Sequence, residues 1–378
     1  MLRLEVIGPF QGASGYDRHT RELVRQLVAL GVRVQLVPLA GWSTDLPEAH
    51  RETWFDRLSA PVEAETALHF TMPSQARPRP GRRNVNYTMF EADRIPEAWA
   101  RAASGHDRIV VPTESSRSAW LASGVPPERL RISPLGVDGE FFSRASKPLP
   151  IAVGSAGRPL ASFRRRFLNV ADLRQRKNHL GLLRTWLAAT CQEDDAVLVL
   201  KLGARHPGVL ERFREDVGAL LARRGGGLGS AAPVVFLAGY LTEDELRSLY
   251  HSATHYISLS RGEGWDQVMM EAAAAGLELI APRHSAYISY LGEEDARLIP
   301  AEPVPAQLEG ATGIEDRVLF DGARWWQPDE AAAAEIVRSI VRGDGPPRPP
   351  PRARLLSEYT WEKAARRLIE LIEELGPR

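Results

Sequence analysis

Two glutamates stand eight positions apart: Glu263, within the short stretch Gly262-Glu263-Gly264-Trp265, and Glu271 beyond it. The pattern from Gln267 onward reads as a helix, which places Glu271 about 7 Å along its axis at ~1.5 Å per residue. Two acceptors at that separation can hold two hydroxyl-bearing groups of one elongated ligand. Glycines on either side let backbone N–H groups come close to that ligand, and the helix N-terminus favours a phosphate. A nucleotide sugar offers sugar hydroxyls, a diphosphate and a ribose diol. Taken alone, the two acids read equally as a solvated loop acid and a helix-face acid.

A second group is basic. Arg176-Lys177-Asn178 follows a strand pattern, FLNVA, and precedes an apolar helix. Fixed cations there would stabilise a departing diphosphate more in the transition state than in the ground state. The chain is strongly biased to arginine and keeps lysine only at Lys147, Lys177, Lys201 and Lys363. A lysine retained in such a chain suits a compact point charge rather than a planar fork. Lys201 ends the buried strand VLVLKLG, where it can meet a phosphate or snorkel to solvent. Gly12 to Tyr16 occupies a phosphate-cradle position between the first strand and first helix, but it lacks the P-loop ending and the full dinucleotide spacing. In the run Asn86 to Asp93, Glu91 is either a polar contact at a reaction centre or a helix-start acid. His69 ends the preceding strand and is a further candidate for the ligand edge.

These residues need a frame. Strand and helix patterns alternate from Leu4 to Ile132, and alternation of that kind argues for parallel strands with crossover helices. Lys147 to Ser162, rich in proline, glycine and small residues, reads as an interdomain linker. The alternation then restarts, with Thr242 as an N-cap and Glu245 at the capping-box position. The expected fold class is α/β, two Rossmann-like doubly wound parallel sheets facing a cleft. Ligands in such sheets lie beyond the carboxyl ends of the strands. Residues 1–160 would form the first domain, 161–355 the second, and 356–378 a last helix packing back toward the first. Gly345 to Pro351 reads as an extended spacer.

The run SRGEGWDQVMMEAAAAGLELIAP, with LTEDELRSLYHSATHYISLS upstream, resembles the donor-binding signature of retaining glycosyltransferases of family 4, which have the GT-B fold. FLNVADLRQRKNHLGLLRTW is similar to the family's basic diphosphate site. Most of the chain matches in order, and the likeness is to mannosyl- and glucosyltransferase-like members. The resemblance implies that Glu263 contacts the transferred sugar, Glu271 holds the ribose, and Gly264 and Trp265 give backbone and stacking contacts. It assigns Lys177 to the diphosphate, with Arg174 or Arg176 as the partner arginine. Gly15 would face the donor phosphate or the acceptor, and the loops at Gly239 and Tyr16 would shape the pocket. Many members carry a histidine near the anomeric carbon; here Phe90 and Glu91 stand closest to that position. Asp266 and Val268 stand where the family usually has glycine and proline. The implied reaction moves a hexose-type sugar, with retention and without a metal, from a nucleoside-diphosphate sugar to a hydroxyl acceptor. No cofactor beyond that co-substrate is expected. A sugar-nucleotide epimerase, a phosphorylase-like enzyme and a non-catalytic nucleotide-sugar-binding protein are the alternatives.

The bulk properties agree with this class. The 378 residues suit about two domains. A formal net charge of +0 provides no global field for nucleic acid. The single cysteine, Cys191, cannot form an internal disulfide and reads as an inert, half-buried thiol, which fits a reducing compartment. No apolar run is long enough to span a bilayer. The expected location is cytoplasmic, with peripheral contact at the inner face of the membrane left open.

Overall fold

The structure, a computed structural model, describes residues 1–42, 52–204, 207–308, 314–344 and 352–376. The spacer read at Gly345–Pro351 lies outside the described residues. In chain order the first elements are β1 (Arg3–Gly8), α1 (Gly15–Ala29), β2 (Arg33–Pro38), β3 (Thr66–Phe70), β4 (Arg83–Tyr87), α2 (Glu97–Ala103), β5 (Arg108–Val111), α3 (Glu114–Ala122) and β6 (Leu130–Ile132). There follow α4 (Gly139–Ser143), β7 (Ala152–Val153), β8 (Arg158–Pro159), β9 (Arg165–Asp172), α5 (His179–Ala189), β10 (Ala196–Gly203), α6 (Pro207–Arg224), β11 (Val234–Ala238) and α7 (Glu243–His251). Then come β12 (His255–Ile257), α8 (Gln267–Ala275), β13 (Glu278–Pro282), α9 (Tyr287–Tyr290), β14 (Ala296–Ile299) and β15 (Ala301–Pro305). The last are α10 (Ile314–Phe320), β16 (Arg324–Pro328), α11 (Glu330–Arg342), α12 (Arg352–Glu358) and α13 (Trp361–Glu373).

The chain forms two compact units: Met1–Val137 with Thr312–Arg324 and Ser357–Arg378, and Asp138–Ala311 with Trp325–Leu356. The first unit holds a six-stranded parallel sheet in the order β2-β1-β3-β4-β5-β6. Leu4, Val6, Leu68, Val85 and Val110 are buried along it. Such apolar strands are what a sheet covered on both faces requires. Helix α13 closes this unit against α1, with the Trp361 ring 5.8 Å from His19. The chain makes that approach beside Gly136, where a Cβ would lie 2.2 Å from the Trp361 backbone nitrogen. Arg108 then reaches the end of α13, donating to the Leu371 carbonyl and pairing with Glu374 at 3.1 Å. Helix α10 stacks Phe320 on Phe90, centroids 5.5 Å apart.

The second unit holds a six-stranded parallel sheet in the order β11-β10-β9-β12-β13-β14. Counted from its own first strand this is 3-2-1-4-5-6, the dinucleotide-binding order, whose switch point falls between β9 and β12. Its core joins Phe167, Leu198, Leu200 and Ile257 to Leu183 and Trp186 of α5. The expected capping box is present: the Thr242 hydroxyl accepts from Glu245 N at 3.2 Å, and the Glu245 carboxylate accepts from Thr242 N at 2.8 Å. The stretch read as a linker differs from expectation. It carries the antiparallel hairpin β7–β8 and buries Val153 and Leu160. Cys191 is exposed rather than half-buried, because it follows the C-cap of α5. Among the described residues no helix is long and apolar enough to cross a membrane.

Candidate functional site

The loops that leave β9 and β12 meet beside the switch point, and Arg176, Lys177, Glu263 and Asp266 come together on them. After β9 the chain makes a short 3-10 turn, Gln175–Lys177. Asn178 stops that turn in the left-handed region, at φ 54°, and caps α5 by accepting from Gly181 N at 3.2 Å. Asparagine is among the few residues that tolerate this conformation and also cap well. The turn aims Arg176 and Lys177 at the loop that follows β12. Lys177 Nζ donates to Glu263 Oε1 at 2.6 Å, and Arg176 Nη1 lies 3.0 Å from Glu263 Oε2. Backbone bonds fasten the two loops together: Arg261 N donates to the Arg176 carbonyl at 2.7 Å. The Arg261 side chain donates to the Gln175 carbonyl and to Gln327 Oε1.

Glu263 is only 4% exposed. Burial by itself would raise its carboxyl, but Arg176 and then Lys177 outweigh that and hold it well below the usual carboxylate range. A second acid joins the cluster. Asp266 is 7% exposed, accepts from Tyr287 OH at 2.8 Å and lies 3.8 Å from Lys177 Nζ. Burial, and then the negative charge of Glu263, push Asp266 up to about 6. Two cations thus face two carboxylates in a space nearly closed to water.

The Glu263 backbone is fixed by residues that follow β13. Glu263 N donates to Ser285 Oγ at 3.2 Å. His284 joins Ser285 Oγ through Nδ1 at 2.8 Å and the Ser260 carbonyl through Nε2 at 2.7 Å. Burial lowers His284 to about 4, so the ring is neutral at pH 7. A carbonyl can only accept, so Nε2 carries the proton and Nδ1 accepts from the serine. His284 stacks flat on Trp326 with centroids 5.2 Å apart. Sequence reasoning passed over His284, Ser285, Tyr287 and Asp266 as partners of Glu263. The available signal was position: His284 and Ser285 come directly after β13, at a strand's carboxyl end beside the switch point.

The remaining candidates fall in different places. Glu271 lies on α8, 0% exposed, and accepts from Tyr250 OH at 2.9 Å. Gly264 is buried in the Glu263 loop. The Trp265 indole is 2% exposed and packs on Tyr290, centroids 5.1 Å apart. Of the two possible partner arginines, Arg176 is the one brought to Glu263. Lys201 is half-buried on β10, the far side of β9 from β12, and burial lowers its pKa against the pull of Asp172. Gly239 follows the edge strand β11 at φ 102° and is exposed.

In the first unit, Gly15 is the exposed first residue of α1, and a Cβ there would meet nothing within 4 Å. The preceding loop is held by its own acid. Asp17 accepts from Gly12 N at 2.7 Å, Ser14 N at 3.2 Å and Trp42 Nε1 at 3.0 Å. Two amides of the loop expected to cradle a phosphate, those of Gly12 and Ser14, are therefore engaged by an internal carboxylate. Glu91 is half-buried, five residues ahead of the Pro96 cap of α2, so it is not a helix-start acid. Its charge is felt by Tyr16, whose hydroxyl lies 3.3 Å from Thr88 Oγ1. His69 is packed inside, bonded to Asn84 at 3.2 Å and edge-on to His106, which removes it from the candidates.

Residues 164–313 match the family described as Glycosyl transferases group 1. Over 284 residues the chain is 25% identical to the MMP alpha-(1->4)-mannosyltransferase of Mycolicibacterium hassiacum. That alignment covers 74% of this chain and 56% of the relative, so the chain spans just over half of that enzyme's length. Among solved structures, Anabaena Alr3699/HepE in complex with UDP-glucose superposes with a TM-score of 0.64 at 12% identity, over 99% of this chain and 100% of that one. Sucrose-phosphate synthase from Thermosynechococcus elongatus superposes with a TM-score of 0.62 at 17% identity, over 99% of each chain. Two parallel six-stranded sheets and these likenesses make the fold GT-B, and the second unit matches a glycosyltransferase domain.

Proposed function

We propose that this protein is a retaining, metal-independent glycosyltransferase that moves a hexose-type sugar from a nucleoside-diphosphate sugar to a hydroxyl acceptor. The observation that carries the reading is the Glu263–Lys177–Arg176 cluster at the switch point of the second sheet. The matched glycosyltransferase region contains all three residues. In this reading Lys177 and Arg176 turn from Glu263 toward the diphosphate as the glycosidic bond breaks and negative charge gathers on the leaving group. Glu263, released from both cations, takes hydroxyls of the sugar whose anomeric carbon gains oxocarbenium character. Glu271 takes the ribose, with Tyr250 exchanging its bond. Lys201 and the Gly239 loop belong to the nucleotide side, and Gly264 offers its backbone. Glu91 and Gly15 are the first unit's contributions to substrate contact. The UDP-glucose bound by the HepE structure and the mannosyl transfer named for the mycobacterial relative support a hexose donor.

A thermal-shift series with UDP, GDP, ADP and their hexose conjugates tests this. A ligand at 100 times its Kd adds ~2.7 kcal/mol of stability, a readily measured rise in Tm. At least one nucleotide is expected to give that rise, and its sugar conjugate a larger one. Silence from every nucleotide refutes the proposal. Glu271→Ala should weaken nucleotide and conjugate alike, whereas Glu263→Ala should lose mainly the sugar-dependent part.

A further inference from the structure

Asp266 is built in a way that its own helix does not explain. It is the N-cap of α8, and aspartate at that position ordinarily accepts from the helix's first amides, a bond worth ~1 kcal/mol. Asp266 makes no side-chain capping bond. Its backbone sits in the left-handed region at φ 63°, which glycine adopts freely and aspartate only occasionally and at some cost. The carboxylate is turned away from the helix and into the cluster at the switch point. One oxygen is fixed by Tyr287, whose hydroxyl is in turn 2.8 Å from Ser258 Oγ. Tyr287 gives its proton to the carboxylate, so Ser258 donates to Tyr287 and the three groups form one oriented chain. The other oxygen, Oδ1, faces Lys177 Nζ at 3.8 Å, beyond hydrogen-bond length. Lys177 Nζ also holds Glu263 Oε1 at 2.6 Å, so the two carboxylates lie within reach of neighbouring hydroxyls on a single sugar ring.

A forgone cap and a strained backbone, retained together around a buried carboxylate, mark a residue kept for a ligand rather than for stability. We propose that Asp266 is a specificity-determining residue for the transferred sugar, accepting through Oδ1 a hydroxyl adjacent to the one taken by Glu263 and rejecting sugars that carry a carboxylate. This rests on the glycosyltransferase reading and deepens it. The selection has two parts. A neutral hexose supplies the missing hydrogen bond to Oδ1. A uronic acid brings a third carboxylate beside Glu263 and Asp266, against only Lys177 and Arg176, and like charges set together are a means of exclusion.

The test measures Kd by calorimetry for UDP, UDP-glucose and UDP-glucuronate, and for GDP, GDP-mannose and GDP-mannuronate, with wild type, Asp266→Asn and Asp266→Gly. Asparagine keeps the shape and loses the charge; glycine suits the backbone and removes the side chain. The free nucleoside diphosphate should bind all three proteins within about a factor of two, which also reports that the variants are folded. The preference for neutral over acidic sugar should fall by about tenfold or more in both variants. An unchanged preference in both, with nucleotide binding intact, overturns the assignment of Asp266 alone. Failure of UDP, GDP and ADP alike to bind wild type overturns the glycosyltransferase reading and this proposal with it.

Discussion

Lys177 and Arg176 together hold Glu263 in a buried cluster, and losing Lys177 leaves that carboxylate with Arg176 alone in a site of low dielectric. Lys177→Met should therefore destabilise the fold by about 3 kcal/mol, in the range seen when one partner of a buried pair is removed. The double variant Lys177→Met/Glu263→Gln should be less destabilised than the sum of the two single changes, because the two residues interact directly and each single change loses the same contact. Urea-unfolding midpoints decide it, and strict additivity would show the two residues to be uncoupled. Asp266 makes a separate prediction with opposite sign from most acids. Its carboxyl is raised to about 6 in the fold, against an unfolded value of about 3.9. The folded state holds that proton more tightly, so this contribution is fully present below pH ~4 and is lost as pH rises through ~6. Asp266→Asn lacks the loss, so its stability relative to wild type should improve between pH 4 and 7. A constant difference over that range would contradict the shift.

Elements place these residues, and two of them rest on single local devices. The capping box of α7 satisfies two backbone donors, and Thr242→Ala should cost about 1 kcal/mol, read from the urea midpoint. Gly136→Ala forces a Cβ to within 2.2 Å of Trp361 N, where backbone must move, and should cost about 2–3 kcal/mol or more. Full retention of stability would mean that α13 is not docked as described. Much of this level could be read in the sequence. The bounds of β11 and α8 and the capping box at Thr242 follow from periodicity and cap chemistry, because nothing tertiary competes with them. The grouping of Arg176, Lys177 and Glu263 was legible only through their positions after strands. Asp266 was visible as an unusual residue, but its link to Tyr287 was not, since that bond joins positions 21 apart through a fold of the chain. The packing of Trp265 on Tyr290 was not legible, because a buried and a ligand-stacking indole leave the same mark in a sequence.

At the scale of the whole molecule, six histidines among the described residues are held neutral. Burial lowers His19, His179 and His255 to about 3, and His69, His106 and His284 to about 4. Unfolded histidine titrates near 6.5, so between the two values the unfolded chain binds more protons than the folded one. This contribution to stability is present above pH ~6.5 and is lost as pH falls toward 4. Unfolding at pH 5.5 should take up protons on balance, the six histidines outweighing the proton released by Asp266; net release would contradict their burial. The division of the chain has its own consequence for synthesis. The first unit begins with Met1–Val137 but is finished by Ser357–Arg378. On a ribosome making 5–20 residues per second, roughly 220 further residues separate those segments, a wait of about 10–45 s. Throughout that interval, while the second unit is being made, the face of α1 that meets Trp361 stands uncovered. The part made first is thus the part completed last, and the nascent chain carries an open apolar surface that solvent or a chaperone must attend until α13 arrives.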